Sequence, residues 1–305
     1  MMRILITGVS GFIGSNLAKY LCGKKEYSVY GLVRPKSDIS VLMSAPGKIN
    51  IIRTSGSFES IDSAIRRSKP DVVIHLAALS LVEHSPGQVE ELIGSNILFS
   101  TMLVEAMVKN GRTRLINTGS FWEYMEEQGK YNPCNLYAAT KFSFEQILHY
   151  YENARNLKTV TLKLSGTYGP NDLRHKMFYF FKKALDSKKK VLFSPGKQKL
   201  DLVYIDDIMR AYEKAVGYIC KKNNNTAKTF SVALGQAVEL KEIARIYEEC
   251  AGGKLNIKWG GLPYRAREMM ECEVDILDTK NKLKWQPAIG LRKGIARMLK
   301  EESAG

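Results

Sequence analysis

The opening segment, Ile4-Leu5-Ile6-Thr7-Gly8-Val9-Ser10-Gly11-Phe12-Ile13-Gly14, constrains the fold more than any other part of the chain. The apolar run Ile4 to Ile6 reads as a buried strand. Three glycines spaced three apart follow it, and a helical pattern then begins at Phe12, Ile13, Leu17 and Leu21. Strand, glycine turn and helix start is the arrangement that holds a dinucleotide pyrophosphate. The backbone approaches the phosphates only where side chains are absent, and the helix N-terminus offers unpaired N–H groups with a partial positive charge. Glycine also serves ordinary turns, so the flanking strand and helix are what mark this triplet as a cofactor site. Gly8, Gly11, Phe12, Ile13 and Gly14 are the contacts expected there.

Strands and helices alternate from this point to about residue 165. Strands are expected over 28–33, 48–53, 71–76, 112–117 and 159–164, and helices over 57–69, 88–109 and 136–155. This rhythm predicts an α/β fold with a Rossmann-type doubly wound parallel sheet covered on both faces. After Gly169-Pro170 the rhythm changes. Helices are expected over 176–185, 206–218 and 240–250, an extended piece over 190–193 and a strand over 229–234. A turn is expected at Ser194-Pro195-Gly196 and a polar loop over 221–225. The expected organisation is a dinucleotide-binding domain over 1–165, with 200–235 returning to the sheet. Residues 166–199 and 236–305 then form a smaller mixed α/β substrate lobe.

A chain of 305 residues, 45% hydrophobic and 25% charged, suits an ordinary globular protein with a sizeable core. No apolar run approaches the roughly 20 residues of a membrane span, and the N-terminus has no signal-peptide pattern. Five widely spaced cysteines without a CxxC pair suggest neither a disulfide framework nor a zinc site. His75 and His84 show no metal-ligand pattern, and a reducing cytoplasm is the expected compartment. The net charge of +15 has two readings, a lysine-rich solvated surface or a field that draws in an anionic ligand. The lysines are scattered and no nucleic-acid-binding motif accompanies them, so neither nucleic acid nor membrane is an expected partner.

Tyr137 and Lys141 stand four apart, on one face of the helix expected over 136–155. A lysine ammonium beside a phenol favours the phenolate, and a tyrosine tuned in this way exchanges a proton with an alcohol or carbonyl oxygen. Ser120 follows the strand expected to end at Asn117. It thus lies beyond the carboxyl end of a parallel strand, where ligands bind in such sheets.

In combination, Thr7-Gly8-x-x-Gly11-Phe12-Ile13-Gly14, Ser120 and Tyr137-x-x-x-Lys141 resemble the extended short-chain dehydrogenase/reductase family. Asp71-Val72-Val73-Ile74-His75-Leu76-Ala77-Ala78, Asn96 and Tyr204-Ile205-Asp206-Asp207 extend the likeness over nearly the whole chain. The resemblance implies that Tyr137 is the general acid/base, Lys141 its partner on the nicotinamide ribose, and Ser120 the donor to the reacting oxygen. It adds Leu76, Ala77, Ala78 and Leu164 to the cofactor contacts and Asn96 to the substrate contacts. The likeness is strongest to CDP-abequose and CDP-paratose synthases. It rests there on Asn117 to Glu123, Tyr131 to Lys141, Gly169-Pro170-Asn171-Asp172 and Ser194-Pro195-Gly196.

That branch implies reduction of a C4 ketone on a CDP-linked deoxysugar, with dTDP or GDP sugars as alternatives, in deoxysugar and surface-polysaccharide biosynthesis. It also implies a homodimer. Arg265 matches the late arginine of such enzymes, and Asn171, His175 and Lys176 fall where their second lobe meets the ligand.

The second expected strand ends Leu32-Val33-Arg34-Pro35-Lys36, with no acid at its end. An NAD site places an acid there for the ribose 2′-hydroxyl, whereas an arginine suits a 2′-phosphate. NADPH is therefore the expected cofactor, with Arg34 on its phosphate. Two other readings remain, a 4-epimerase holding NAD and a non-catalytic dinucleotide sensor. Dehydration uses an Asp-Glu pair after the serine in this family, whereas this chain has Phe121-Trp122, and Glu123 is displaced by one position. Gly166 replaces an asparagine of many epimerases, and Leu200 replaces a common arginine.

Overall fold

Ile4, Leu5 and Ile6 are fully buried in β1 (Met2–Thr7), and the sheet grows outward from it on both sides. A computed structural model describes residues 1–125, 127–221 and 228–303. β1 pairs in parallel with β2 (Tyr27–Val33) and with β4 (Val72–His75). β3 (Ile49–Arg53) adds to β2, and β5 (Arg114–Ser120) adds to β4, again in parallel. β6 (Lys158–Leu164) and the strand Lys228–Val232 complete seven strands in the order β3-β2-β1-β4-β5-β6-(228–232). The strand order reverses at β1, so the crevice beyond β1 and β4 is the topological switch point, where such sheets bind ligands.

The chain divides into two compact units. The first comprises Met1–Glu123, Asn135–Lys163 and Met209–Phe230; the second comprises Tyr124–Cys134, Leu164–Ile208 and Ser231–Gly305. In the first unit, α1 (Phe12–Cys22) follows the glycine turn. α2 (Phe58–Ser68) is capped by Ser57, whose hydroxyl accepts the Ser60 N–H, and it closes on Lys69 in a left-handed conformation before Pro70. The core includes Leu5, Leu32, Ile65, Val73, Leu103, Leu115, Phe144 and Leu148.

The helix expected over 88–109 forms, but not as one straight element. A short turn at Pro86–Gln88 leads into α3 (Val89–Ile93), then a wide π turn over Gly94–Leu98, then α4 (Phe99–Lys109). Contrary to the sequence expectation, Pro86–Lys109 is long and apolar enough to cross a membrane by length and composition. Its Leu92, Asn96, Ser100, Leu103, Val104 and Met107 are buried, as in a core helix. β5 also differs from expectation. It runs on past Asn117 to Ser120, making the serine the last residue of the strand rather than part of the following loop. α5 (Leu136–Arg155) has the expected bounds, with Asn135 accepting the Ala138 N–H as its cap.

The second unit holds α6 (Met177–Asp186) and the beginning of α7 (Ile205–Ile219), which continues into the first unit. α8 (Leu240–Ala251), a π turn over Thr279–Leu283 and α9 (Leu291–Ser303) follow. Strand Gly166–Tyr168 pairs in parallel with Leu202–Tyr204. A Cβ on Gly166 would stand 2.5 Å from Leu202 Cδ2 and 2.9 Å from the Asp201 carbonyl oxygen, so a side chain there would crowd the neighbouring strand. Of the polar loop expected over 221–225, residues 222–225 lie outside the described residues.

His75 ends β4 fully buried. The Thr7 hydroxyl accepts the N–H groups of Leu76 and Ala77 at 3.2 and 3.1 Å and contacts His75 Nδ1 at 2.8 Å. With both lone pairs used, its proton must point at Nδ1. The ring is then the Nε2–H tautomer, donating to Ser100 Oγ at 2.8 Å. Burial, with a smaller push from the Lys141 charge, holds the imidazole down at about 3. Its folded pKa lies below the unfolded value near 6.5, so the unfolded chain binds the extra proton between those limits. Stability is therefore expected to fall on acidification from pH 6.5 toward 3, by up to about 1.4 kcal/mol per pH unit from this residue. Melting temperatures of wild type and His75→Gln across pH 4.5–6.5 check this. The variant should show the shallower dependence, and equal slopes would refute the assignment.

Candidate functional site

The glycine turn is built by contacts that exclude side chains. Gly8 has φ +68°, and a Cβ on it would lie 2.8 Å from Ala77 N. A Cβ on Gly14 would lie 2.2 Å from Gly8 O. Gly11 N–H returns to Gly8 O at 3.0 Å, and Ser15 N–H to Gly11 O at 2.8 Å. Helix α1 begins here without a side-chain cap. This leaves a bare helix N-terminus at the switch point beside the half-buried Leu76 and Ala77 and the exposed Ala78. The cradle fits the pyrophosphate of a nicotinamide dinucleotide, with Gly8, Gly11, Phe12, Ile13 and Gly14 as the residues that would hold it. Leu164, the other expected contact, is the buried last residue of β6.

Arg34 and Lys36 are exposed just beyond β2. Arg53, at the end of β3, shapes that turn. Its Nη1 donates to the carbonyls of Arg34, Pro35 and Ser37 at 3.3, 2.6 and 3.4 Å. The next acid in the sequence, Asp38, accepts from Ser40 N and Oγ at 2.8 and 2.9 Å.

Ser120, Tyr137 and Lys141 all belong to the first unit. The Ser120 hydroxyl accepts the Trp122 N–H at 3.2 Å. The Trp122 and Tyr137 rings meet edge to face, with centroids 6.2 Å apart. Tyr137 is half-buried in the first turn of α5, and Lys141 is buried one turn later. Burial pulls the Lys141 ammonium down to about 8, while the charges of Glu123 and Glu145 work to keep it protonated. Sequence reasoning missed the ion network behind these groups. Glu123, treated there only as a displaced dehydratase acid, is fully buried, paired with Lys163 and bonded to the Ser120 N–H. Burial and the Glu145 charge push its carboxyl up to about 7, against the pull of Lys163 and the Ser120 N–H. The network had a readable signal, because Tyr137, Lys141 and Glu145 recur at intervals of four.

Among the expected substrate contacts, Asn96 requires correction. It is buried, its Oδ1 accepts Leu79 N–H, and its Nδ2 donates to Leu79 O and Thr140 Oγ1. Both amide donors are spent bracing the segment after β4, so the residue is structural. Asn171, Lys176 and Arg265 lie in the second unit. Asn171 is exposed with φ +58°. Lys176 stands at the start of α6, where burial, aided by the Arg174 charge, lowers its ammonium to about 8. The exposed Arg265 approaches Glu268 at 3.6 Å. His175 stacks on Tyr179 with ring centroids 4.4 Å apart. Leu200 lies in a short strand paired antiparallel with Val238–Glu239. The buried Asp201 beside it accepts from Ser165 Oγ and from the main chain of Leu234, Gly235 and Gln236.

A reversing parallel sheet, a side-chain-free cradle at its switch point and a Tyr-Lys helix face define a dinucleotide-dependent enzyme. Residues 4–230 match the model of the NAD dependent epimerase/dehydratase family, and the chain belongs to it. It is 32% identical over 289 residues to a CDP-abequose synthase of Yersinia pseudotuberculosis, covering 93% of this chain and 97% of that protein. It is 26% identical over 300 residues to a CDP-abequose synthase of Salmonella muenchen, covering 97% of each. A UDP-glucuronic acid 4-epimerase of Bacillus cereus, solved with UDP-glucuronic acid and NAD, shares the fold with a TM-score of 0.88. It is 24% identical, and the match covers 99% of each chain. This chain is accordingly an NAD(P)-dependent enzyme of the oxidoreductase type that modifies a nucleotide sugar.

Gly14→Ala tests the cradle. The added Cβ must displace the turn, an overpacking cost of about 1–3 kcal/mol. Titration of nicotinamide fluorescence should show dinucleotide affinity at least about tenfold weaker. Unchanged affinity would place the pyrophosphate elsewhere.

Proposed function

We propose that this chain uses NADPH to reduce the C4 ketone of a nucleotide-linked 4-keto-deoxysugar, with CDP as the first-choice carrier. The carrying observation is that Trp122 links the two sides of the site, its N–H on the Ser120 hydroxyl at the end of β5 and its ring against Tyr137, on the α5 face that also bears the buried Lys141. The CDP-abequose synthase relatives support the CDP carrier, and the ketone is inferred from the family resemblance of Ser120, Tyr137 and Lys141. When bound, the nicotinamide supplies the hydride. Negative charge then develops on the substrate oxygen, and Ser120 donates a hydrogen bond to it. Tyr137 gives that oxygen its proton, and the Lys141 charge keeps the phenol acidic enough to do so. Lys176 and Arg265 are the cations proposed for the diphosphate.

NADPH is favoured over NADH by Arg34 and Lys36 at the end of β2, a turn held open by Arg53. Asp38, the next acid in the sequence after Arg34, is turned onto Ser40. A 4-epimerase would need the same serine, tyrosine and lysine, and several solved neighbours are UDP-sugar 4-epimerases. Stoichiometric NADPH consumption with CDP-, dTDP- and GDP-linked 4-ketosugars separates the two readings, because an epimerase returns its hydride. The exposed Ile93, Leu98 and Tyr150 supply apolar surface for the proposed homodimer, and a cytoplasmic location is proposed with it.

Tyr137→Phe is expected to lower kcat about 10²–10⁴-fold while NADPH binding is kept; retained turnover would refute the assignment of the acid. Arg34→Ala should weaken NADPH at least about tenfold and leave NADH nearly unaffected. If the ratio of the two affinities does not move, Arg34 does not read the 2′-phosphate.

A further inference from the structure

Buried charges lie directly behind Ser120. A single tight turn, Phe121–Glu123, folds the Glu123 side chain back beneath the strand end. Glu123 Oε1 accepts the Ser120 N–H at 2.9 Å, and Oε2 pairs with Lys163 Nζ. Lys163, on β6, also meets both oxygens of Glu145 at 2.7 Å. Glu145 follows Lys141 by four residues and Tyr137 by eight, so all three share one face of α5. The side chains of Glu123, Lys163 and Glu145 are 0%, 2% and 12% exposed. Gly119 admits the lysine. A Cβ there would lie 2.6 Å from Lys163 Cδ and 2.7 Å from Glu145 Oε1.

An apolar cluster would fill this space at lower cost, because taking ions out of water is expensive even when they are paired. What the ions add is direction. A carboxylate bonded to one main-chain N–H fixes that peptide, and the hydroxyl attached to it, more narrowly than packing does. We propose that Glu123 is a positioning residue. It holds the main chain of Ser120 and, through Lys163 and Glu145, ties it to the face of α5 that carries Tyr137 and Lys141. The inference rests on the reading that Ser120 and Tyr137 act on one substrate oxygen, and it applies to reduction and epimerisation alike.

Glu123→Met and Glu123→Ala remove the acceptor, the first keeping most of the volume, and both leave Lys163 paired with Glu145. Glu123→Gln keeps an acceptor for the Ser120 N–H. With NADPH and a 4-ketosugar nucleotide, Met or Ala is expected to lower kcat about a hundredfold. KM and NADPH affinity should stay within about twofold, and Gln should recover most of the lost kcat. Hydrogen exchange of the Ser120 amide, read by mass spectrometry, should quicken at least about tenfold in the Met or Ala variant and return toward wild type in Gln. Either of the two that folds serves as the readout. Unchanged kcat, or kcat and NADPH affinity falling together, would overturn the proposal. If the wild type turns over no 4-ketosugar nucleotide, only the substrate reading fails. Ser120 exchange then decides alone, and unchanged protection in Met or Ala overturns the positioning role.

Discussion

The close approach of Gly14 to the Gly8 carbonyl, and of Gly8 to the backbone of Ala77, is the constraint on which the site depends. It lets β1, the start of α1 and the segment after β4 meet without side chains between them. The Thr7 hydroxyl then completes the corner, satisfying Leu76 N–H, Ala77 N–H and the His75 ring together. Such a corner has few alternatives, since the Thr7 hydroxyl is committed to three partners at once and the buried His75 ring to two. The cofactor crevice is therefore set by backbone geometry, and the chemistry is added at its rim by β5 and α5.

The rim is organised by a different force. Glu123, Lys163 and Glu145 form a desolvated ion network with one lysine between two carboxylates. Removing the lysine would leave two buried carboxylates without their counter-ion, whereas either carboxylate can be lost with Lys163 still paired to the other. Lys141 sits in the same field, and its ammonium balances burial against the two carboxylates. Coupling of this kind links the protonation of the site to its geometry. A shift in the strand end that carries Ser120 moves the charges that Lys141 feels.

Most of the first unit was legible because its signals are local. Apolar runs of strand length, the glycine turn at Gly8 to Gly14 and the helical spacing over 136–155 each act within a few residues. The ends of β5 and the shape of the helix from Pro86 were not legible. Both are decided by distant partners. β5 extends to Ser120 between β4 and β6, and the helix widens where Asn96 bonds Leu79 and Thr140. The same long-range bonds explain the miss at Asn96. An asparagine at a familiar position suggested a ligand contact, yet its amide is saturated by the fold. In the second unit, the fit of Gly166 against Leu202 and the nest of main-chain donors around Asp201 depend on pairings far apart in the chain.

The π turn at Gly94–Leu98 carries one residue more than α-helical winding needs, so it offsets by about 100° the two stretches it joins. A stripe drawn straight through the helix therefore changes sides. Leu92 before the turn and Val104 after it face the core, while Ile93 and Leu98 are left toward solvent. The turn works as a gear between two surfaces. Its single extra residue lets one helix serve the buried core along its length and still present an apolar shoulder outward, and rewinding the turn as plain α-helix with that residue kept would rotate the stretch after it by about 100° and carry its core stripe away from the core.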